Sequence, residues 1–149
     1  MIRRILVQTI LASTLAAPLL ATAAAPVIEV YKSASCGCCT GWVDHLKASG
    51  FAVNVQNVAN PSDYREKYGI PNAPGSCHTG MVQGYAIEGH VPASEIRRLL
   101  AEKLRAKGLA VPSMPMGSPG MEGPRNDPYG VLLVQTDGRT STYKHYSGN

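Results

Sequence analysis

From residue 26 onward the hydrophobic positions switch between a period of two and a period near 3.6, and the switch points mark out the elements. Val27-Ile28-Glu29-Val30-Tyr31-Lys32 is rich in β-branched and aromatic side chains and predicts a strand. It runs into Ser33-Ala34-Ser35-Cys36-Gly37-Cys38-Cys39, whose small residues predict a turn. From Thr40 the period is helical, with Trp42, Val43 and Leu46 on one face and Gly50 as the stop. Residues 51–56 return to alternate apolar positions, a second strand, after which Asn60 as cap and Pro61 in the first turn open a short helix closed by Gly69 and Pro71. Residues 72–76 read as a loop that delivers Cys77 and His78. Residues 79–83 and 85–88 predict a hairpin turning at Gly84. The strongest amphipathic stripe, Ile96, Leu99, Leu100 and Leu104, predicts a third helix from Pro92 to Lys107 ended by Gly108.

Residues 111–128 crowd proline, glycine and methionine together without any apolar period and predict a loop. Residues 131–135 and 140–146, joined across Asp137-Gly138, predict a terminal hairpin within residues 129–146. Strand, helix, strand, helix, hairpin, helix is the order of a thioredoxin-like domain. The predicted class is therefore α/β, thioredoxin-like, with a C-terminal Met/Pro/Gly-rich loop and β-hairpin. Such a fold keeps its cysteine chemistry at the first strand–helix junction, where Cys36, Cys38 and Cys39 stand.

The first residues change the picture of where the protein works. Arg3-Arg4, an apolar stretch from Ile5 to Leu20 and the run Ala21-Thr22-Ala23-Ala24-Ala25 form the basic, apolar and small-residue regions of an export signal. Gln8, Ser13, Thr14 and Pro18 interrupt the apolar stretch, which is short for a span of about 20 apolar residues. The expected organisation is a signal peptide over residues 1–25 and one domain over residues 26–149, released outside the cytoplasm with no membrane insertion after cleavage. Fourteen basic side chains oppose ten acidic ones. Losing Arg3 and Arg4 leaves twelve against ten, and the rest are dispersed or lie late in the third helix, so nothing here recruits nucleic acid. A hydrophobic share of 44% with 16% charged residues is globular composition.

Export makes disulfides the first reading of an even cysteine count. The spacing of Cys36, Cys38, Cys39 and Cys77 points elsewhere. Cys36 and Cys39 have the C-x-x-C spacing that sets two sulfurs at a helix start, where free amides and the helix dipole favour thiolate; this suits redox exchange and metal binding equally. Cys38 between them would scramble a two-cysteine exchange cycle but adds a ligand for a soft metal. Copper(I) prefers thiolate and thioether donors, and bridging sulfurs can hold several such ions. A structural zinc draws on two separated cysteine pairs, which this three-plus-one arrangement does not offer. Met114, Met116 and Met121 supply thioethers in the loop, and His78 beside Cys77 is a further candidate ligand; His90 is a weaker one, placed to hydrogen-bond ahead of the third helix. His45 and His145 read as surface residues. A thiol-disulfide oxidoreductase using Cys36 and Cys39, a structural zinc domain and a pair of disulfides stay open as alternatives, and no catalytic residue is assigned. Phosphate-binding glycine loops, G-x-S-x-G and H-E-x-x-H are absent from the sequence, so hydrolase and kinase readings have no support.

Val30-Tyr31-Lys32-Ser33 leading into Cys36-Gly37-Cys38-Cys39, then Ser76-Cys77-His78-Thr79, Gly84-Tyr85, Ile87-Glu88-Gly89-His90-Val91-Pro92-Ala93 and Gly108-Leu109-Ala110-Val111-Pro112 carry a further signal. With Met114-Pro115-Met116-Gly117-Ser118-Pro119-Gly120-Met121-Glu122 they make the chain resemble the CopG-type family of periplasmic copper-resistance proteins. The resemblance implies a thioredoxin-like fold and a cysteine-bridged multinuclear copper cluster on Cys36, Cys38, Cys39 and Cys77. It further implies a role in copper resistance among other periplasmic copper-handling proteins, and interconversion of Cu(I) and Cu(II). On that implication the protein would be a copper oxidoreductase as well as a binder, the binding resting on firmer ground.

Overall fold

The computed structural model describes residues 25–149, so the expected signal peptide lies outside the described residues except for its last position. The elements run β1 (Val27–Lys32), α1 (Gly37–Ala48), β2 (Ala52–Asn57), α2 (Pro61–Lys67), β3 (His78–Val82), β4 (Tyr85–Glu88), α3 (Ala93–Glu102), β5 (Ala106–Ala110), β6 (Tyr129–Gln135) and β7 (Thr140–Tyr146). The seven strands form one sheet in the order β2-β1-β3-β4-β5-β6-β7. β1 is parallel to β2 and antiparallel to β3, β4 is parallel to β5, and the remaining pairs are antiparallel. A parallel neighbour requires a crossover, and α1 and α3 supply the two crossovers.

Burial follows the pleat. Trp42, Val43 and Leu46 of α1 and Ile96 and Leu99 of α3 pack with Ile28, Val30, Ile87, Leu109 and Val131 in one cluster. Ile70, just past α2, meets Ala86, Ala110 and Val134 in a second. Ala86 and Ile87 are consecutive, as are Leu109 and Ala110, so they point to opposite faces of the sheet. α1 and α3 therefore cover one face and the α2 segment the other. On the α2 side Tyr31 stacks on Tyr64 at 3.9 Å between ring centroids. No helix among the described residues is long and apolar enough to cross a membrane.

Two boundaries differ from the sequence reading. α1 starts at Gly37 rather than Thr40, because Cys36 already serves as its N-cap, with Sγ accepting the Cys39 amide at 3.3 Å. The third helix stops at Glu102 rather than Lys107. Lys103 takes a left-handed conformation at its end, and residues 106–110 become β5. Gly108 is thus a strand residue rather than a helix stop: a Cβ there would overlap the Ala86 backbone across the β4–β5 pair. Leu104 extends the helical stripe, and Ala106-Lys107-Gly108 has no β-branched residue. Only the β4 and β6 neighbours on either side make this segment a strand.

Candidate metal centre

The β1–α1 junction brings three of the four cysteines to one spot. Cys36 precedes α1, Cys38 and Cys39 lie in its first turn, and the loop before β3 delivers Cys77 to the same place. The four sulfurs all lie within 4.8 Å of one another. Cys39 Sγ is 3.4 Å from Cys77 Sγ, and Cys36 Sγ is 3.6 Å from Cys38 Sγ. Metal–sulfur bonds of about 2.3 Å at tetrahedral to trigonal angles separate ligand sulfurs by about 3.8–4.0 Å, so the Cys39–Cys77 and Cys36–Cys38 pairs need open by only a few tenths of an ångström, whereas Cys36 and Cys39 have first to part. Cys36 and Cys39 are joined as a disulfide, which leaves Cys38 and Cys77 as free thiols. Four thiolates become available only when that bond is reduced.

Cys77 lies between two histidines. Its Sγ lies 3.5 Å from His78 Nδ1 and 3.7 Å from His90 Nε2. Both histidines are fully buried. The indole of Trp42 packs on His78 at 4.3 Å between ring centroids while its N–H donates to the Val91 carbonyl at 2.8 Å. Burial, with a contribution from the negative charge of Cys38, pushes the Cys77 thiol up to about 11. A metal arriving here has to displace a proton.

Sequence reading undervalued His90, because a histidine just ahead of a helix has an obvious capping role. That role falls instead to His45, which is half-buried rather than a surface residue: its Nε2 accepts the first amide of α3, from Ala93, at 3.1 Å. Pro92, the N-cap position, has no side chain able to do so. His145 is exposed. Sequence reading also missed Glu88, which is fully buried behind Cys77. Its carboxylate accepts from Ser76 N at 2.7 Å, Thr79 Oγ1 at 2.6 Å and Arg65 Nη1 at 3.4 Å. The available signal was a carboxylate ending the apolar run Tyr85-Ala86-Ile87, immediately before Gly89-His90.

Residues 111–128 contain neither helix nor strand and lie over the site. Met114 Sδ reaches Cys38 Sγ at 3.8 Å. Met116 packs its thioether against Gly123, and Met121 is tied in by backbone bonds from its N–H to Ser118 and from Gly117 to its carbonyl. The loop touches α1 where Gly120, at φ +83°, fits against the Cys38 carbonyl and Trp42 amide, a space that a Cβ would fill. Gly120→Ala is therefore expected to lower stability by about 1–3 kcal/mol and to lift the loop from Cys38. Thermal melts and the rate of Cys38 alkylation check this, and a melting point and rate equal to wild type would refute it.

The two histidines also set a pH response. Burial, reinforced by the neighbouring His90, pushes His78 down to about 3, and burial lowers His90 as well. Below pH 6.5 the unfolded chain takes up protons that the folded chain refuses. Stability present above that pH is lost as pH falls, by up to about 1.4 kcal/mol per pH unit for each histidine. The urea midpoint of the metal-free protein should fall between pH 7 and pH 5, with a shallower fall in His78→Phe; an equally steep fall in the variant would contradict the assignment.

Comparison with known proteins bears on this site. The family described as "Protein of unknown function, DUF411" matches residues 74–121, the stretch that contains Cys77, His78, His90 and the methionine loop. A search of curated proteins finds no match. Two solved structures of the copper resistance protein CopG are similar. Form 2 has 44% sequence identity and a TM-score of 0.78, and Form 1 has 45% and 0.77; each comparison covers 82% of this chain and 98% of the other.

Proposed function

This chain belongs to the family of the copper resistance protein CopG, and from that premise we propose that it binds copper(I), several ions at once, on Cys36, Cys38, Cys39 and Cys77. The observation that carries the reading is the convergence of four sulfurs from two separate chain segments within 4.8 Å. A soft ion favours such a donor set, and sulfur can bridge neighbouring ions. Met114 is placed to add a thioether through its contact with Cys38, and His78, Met116 and Met121 are further candidates. Here copper is cargo: the protein holds it for resistance and homeostasis in the periplasm, in exchange with other copper-handling proteins there, after residues 1–25 are removed. Interconversion of Cu(I) and Cu(II) at this site belongs to the same proposal.

We read β1 to α3 as the thioredoxin-like part of the fold, since the sheet order β2-β1-β3-β4 has an antiparallel β3 beside the parallel β1–β2 pair. β5 to β7 and the residue 111–128 loop extend it. The Cys36–Cys39 disulfide fits a redox gate: reduction by two electrons and two protons yields the two thiols that complete the ligand set. Anaerobic copper(I) titration with X-ray absorption tests this. Reduced protein should take up several ions per chain with sulfur neighbours, and protein with the disulfide closed should take up fewer; no uptake by the reduced form would end the proposal.

A thiol-disulfide oxidoreductase is the second reading, favoured by that same disulfide at the start of α1. Against it stands Cys38 Sγ, 3.6 Å from Cys36 Sγ and able to attack the same bond. Catalysed disulfide reduction that survives Cys38→Ser and disappears in Cys36→Ser would favour this reading over copper binding.

A further inference from the structure

Between α1 and the outer strand β2 lies a groove that no cysteine or histidine lines. Ile28 and Val30 of β1 pack in the same cluster as α1, and Lys32, two residues further on, points to the same face of the sheet. Asn57 is its register partner on β2. Thr40, Asp44 and Lys47 follow one another at i, i+4 and i+7 of α1, a single stripe along one side of the helix. These five side chains give the groove, of about 300 Å³, its polar lining.

Lys32 sits at an energetic disadvantage as it stands. The residue is only 4% exposed, and its ammonium donates to the Ser33 carbonyl at 2.9 Å. No carboxylate among the described residues pairs with it. An ammonium has three N–H donors, and lysine is almost never buried to this degree without a counter-charge. An anion seated in the groove supplies one.

The other charges say what kind of anion. Asp44 and Lys47 are exposed on the α1 stripe at i and i+3, a spacing at which opposite charges can meet, yet neither forms an ion pair. A bare anion bound to Lys32 would be repelled by the Asp44 carboxylate. A molecule with an ammonium group beside its carboxylate satisfies both residues. The Asn57 amide can donate to that carboxylate. The Thr40 hydroxyl, which already donates to the Cys36 carbonyl at 3.2 Å, can still accept from the ammonium. The groove lies at the lower end of the range of about 300–1,000 Å³ for small-molecule sites, which suits a ligand of amino-acid size.

We propose that this groove binds a free α-amino acid, its carboxylate on Lys32 and its ammonium on Asp44. Lys47 matches a second carboxylate, so an amino dicarboxylate is the member of the class that fits best. None of these residues is a proposed copper ligand, and the site stands or falls independently of the metal reading.

Glutamate is the probe, because it carries a carboxylate on either side of its ammonium group. Titrated into isotope-labelled, metal-free protein with the Cys36–Cys39 disulfide closed, it should shift the NMR signals of the Thr40, Asp44 and Asn57 amides saturably. Acetate and inorganic phosphate, run in parallel, should bind at least tenfold more weakly. Lys32→Met should weaken glutamate binding at least tenfold. Asp44→Asn should weaken glutamate without weakening acetate. No saturable shift at those amides, glutamate affinity indifferent to either substitution, or acetate or phosphate bound as tightly as glutamate would overturn the proposal. Replacing a buried charge by an apolar side chain of similar volume is often neutral or stabilising, so Lys32→Met should fold. Should it fail to, Asp44→Asn at its exposed position decides by the same titrations.

Discussion

Cys77→Ser should cut the copper(I) content of the reduced protein to one ion or none and weaken what remains on the order of 100-fold, while leaving the fold intact. Cys36, Cys38 and Cys39 all sit at one helix start, so without Cys77 every remaining thiolate approaches from the same side. A bridged cluster needs sulfur on the opposite side, and Cys77 supplies it 3.4 Å from Cys39. A serine hydroxyl is nearly the same size, but it is a hard donor that remains protonated and gives copper(I) little in return. The side chain is half-buried, and a serine hydroxyl can still donate to one of the two buried histidines that Cys77 faces, so melting temperature should move little. Copper analysis after anaerobic loading, together with a thermal melt, checks both halves. A serine variant that retains the wild-type copper content would mean that the ligands lie elsewhere.

How much of this was legible beforehand depends on whether the relevant neighbours are near in sequence. Cys36, Cys38 and Cys39 declare themselves, because a strand that ends in small residues before a helical stripe fixes their place in any fold. The convergence of Cys77 is different in kind: 38 residues separate it from Cys39, and only the register of β1 against β3, with Lys32 opposite His78, brings the two ends together. His90 was hidden by ambiguity, since the step from a strand into a helix offers a histidine two roles, and here His45 fills the other one from a different helix. β5 was hidden because Leu104 continues the helical stripe while Gly108 imitates a helix stop. A strand read from its partners, rather than from its own residues, has no local signature to find. Of the loop methionines, the exposed Met114 is the one that reaches a cysteine sulfur among the described residues, and nothing in the spacing of the three distinguishes it.

Arg65→Met should be the most destabilising change outside the core, although Arg65 touches no proposed ligand. Its guanidinium holds the Cys77 loop at two points, the Ser76 carbonyl at 3.2 Å and Asn72 Oδ1 at 3.2 Å, and pairs with Glu88 at the end of β4 at 3.4 Å. Glu88 is fully buried, and burial raises its carboxyl above the ordinary range even though Thr79, Ser76 and Arg65 pull the other way. Removing the cation leaves a buried carboxylate with two neutral donors, a loss of about 3–5 kcal/mol when one partner of a buried pair is deleted. For a domain of this size that is a fall of roughly 10 °C or more in melting temperature. The sign of the pH effect follows from the carboxyl. The cost is carried where Glu88 is ionised, and as pH falls Glu88 takes up a proton and the unpaired charge disappears, so the gap between variant and wild type should narrow towards acid. Glu88→Gln removes the charge from the same place and should rescue much of the loss in the double variant. Copper(I) affinity should fall with Arg65→Met as well, because the loop that presents Cys77 is no longer pinned. An Arg65→Met protein that melts within a degree or two of wild type at neutral pH, with a gap that does not narrow in acid, would show that Glu88 is held by its hydroxyl and amide donors alone.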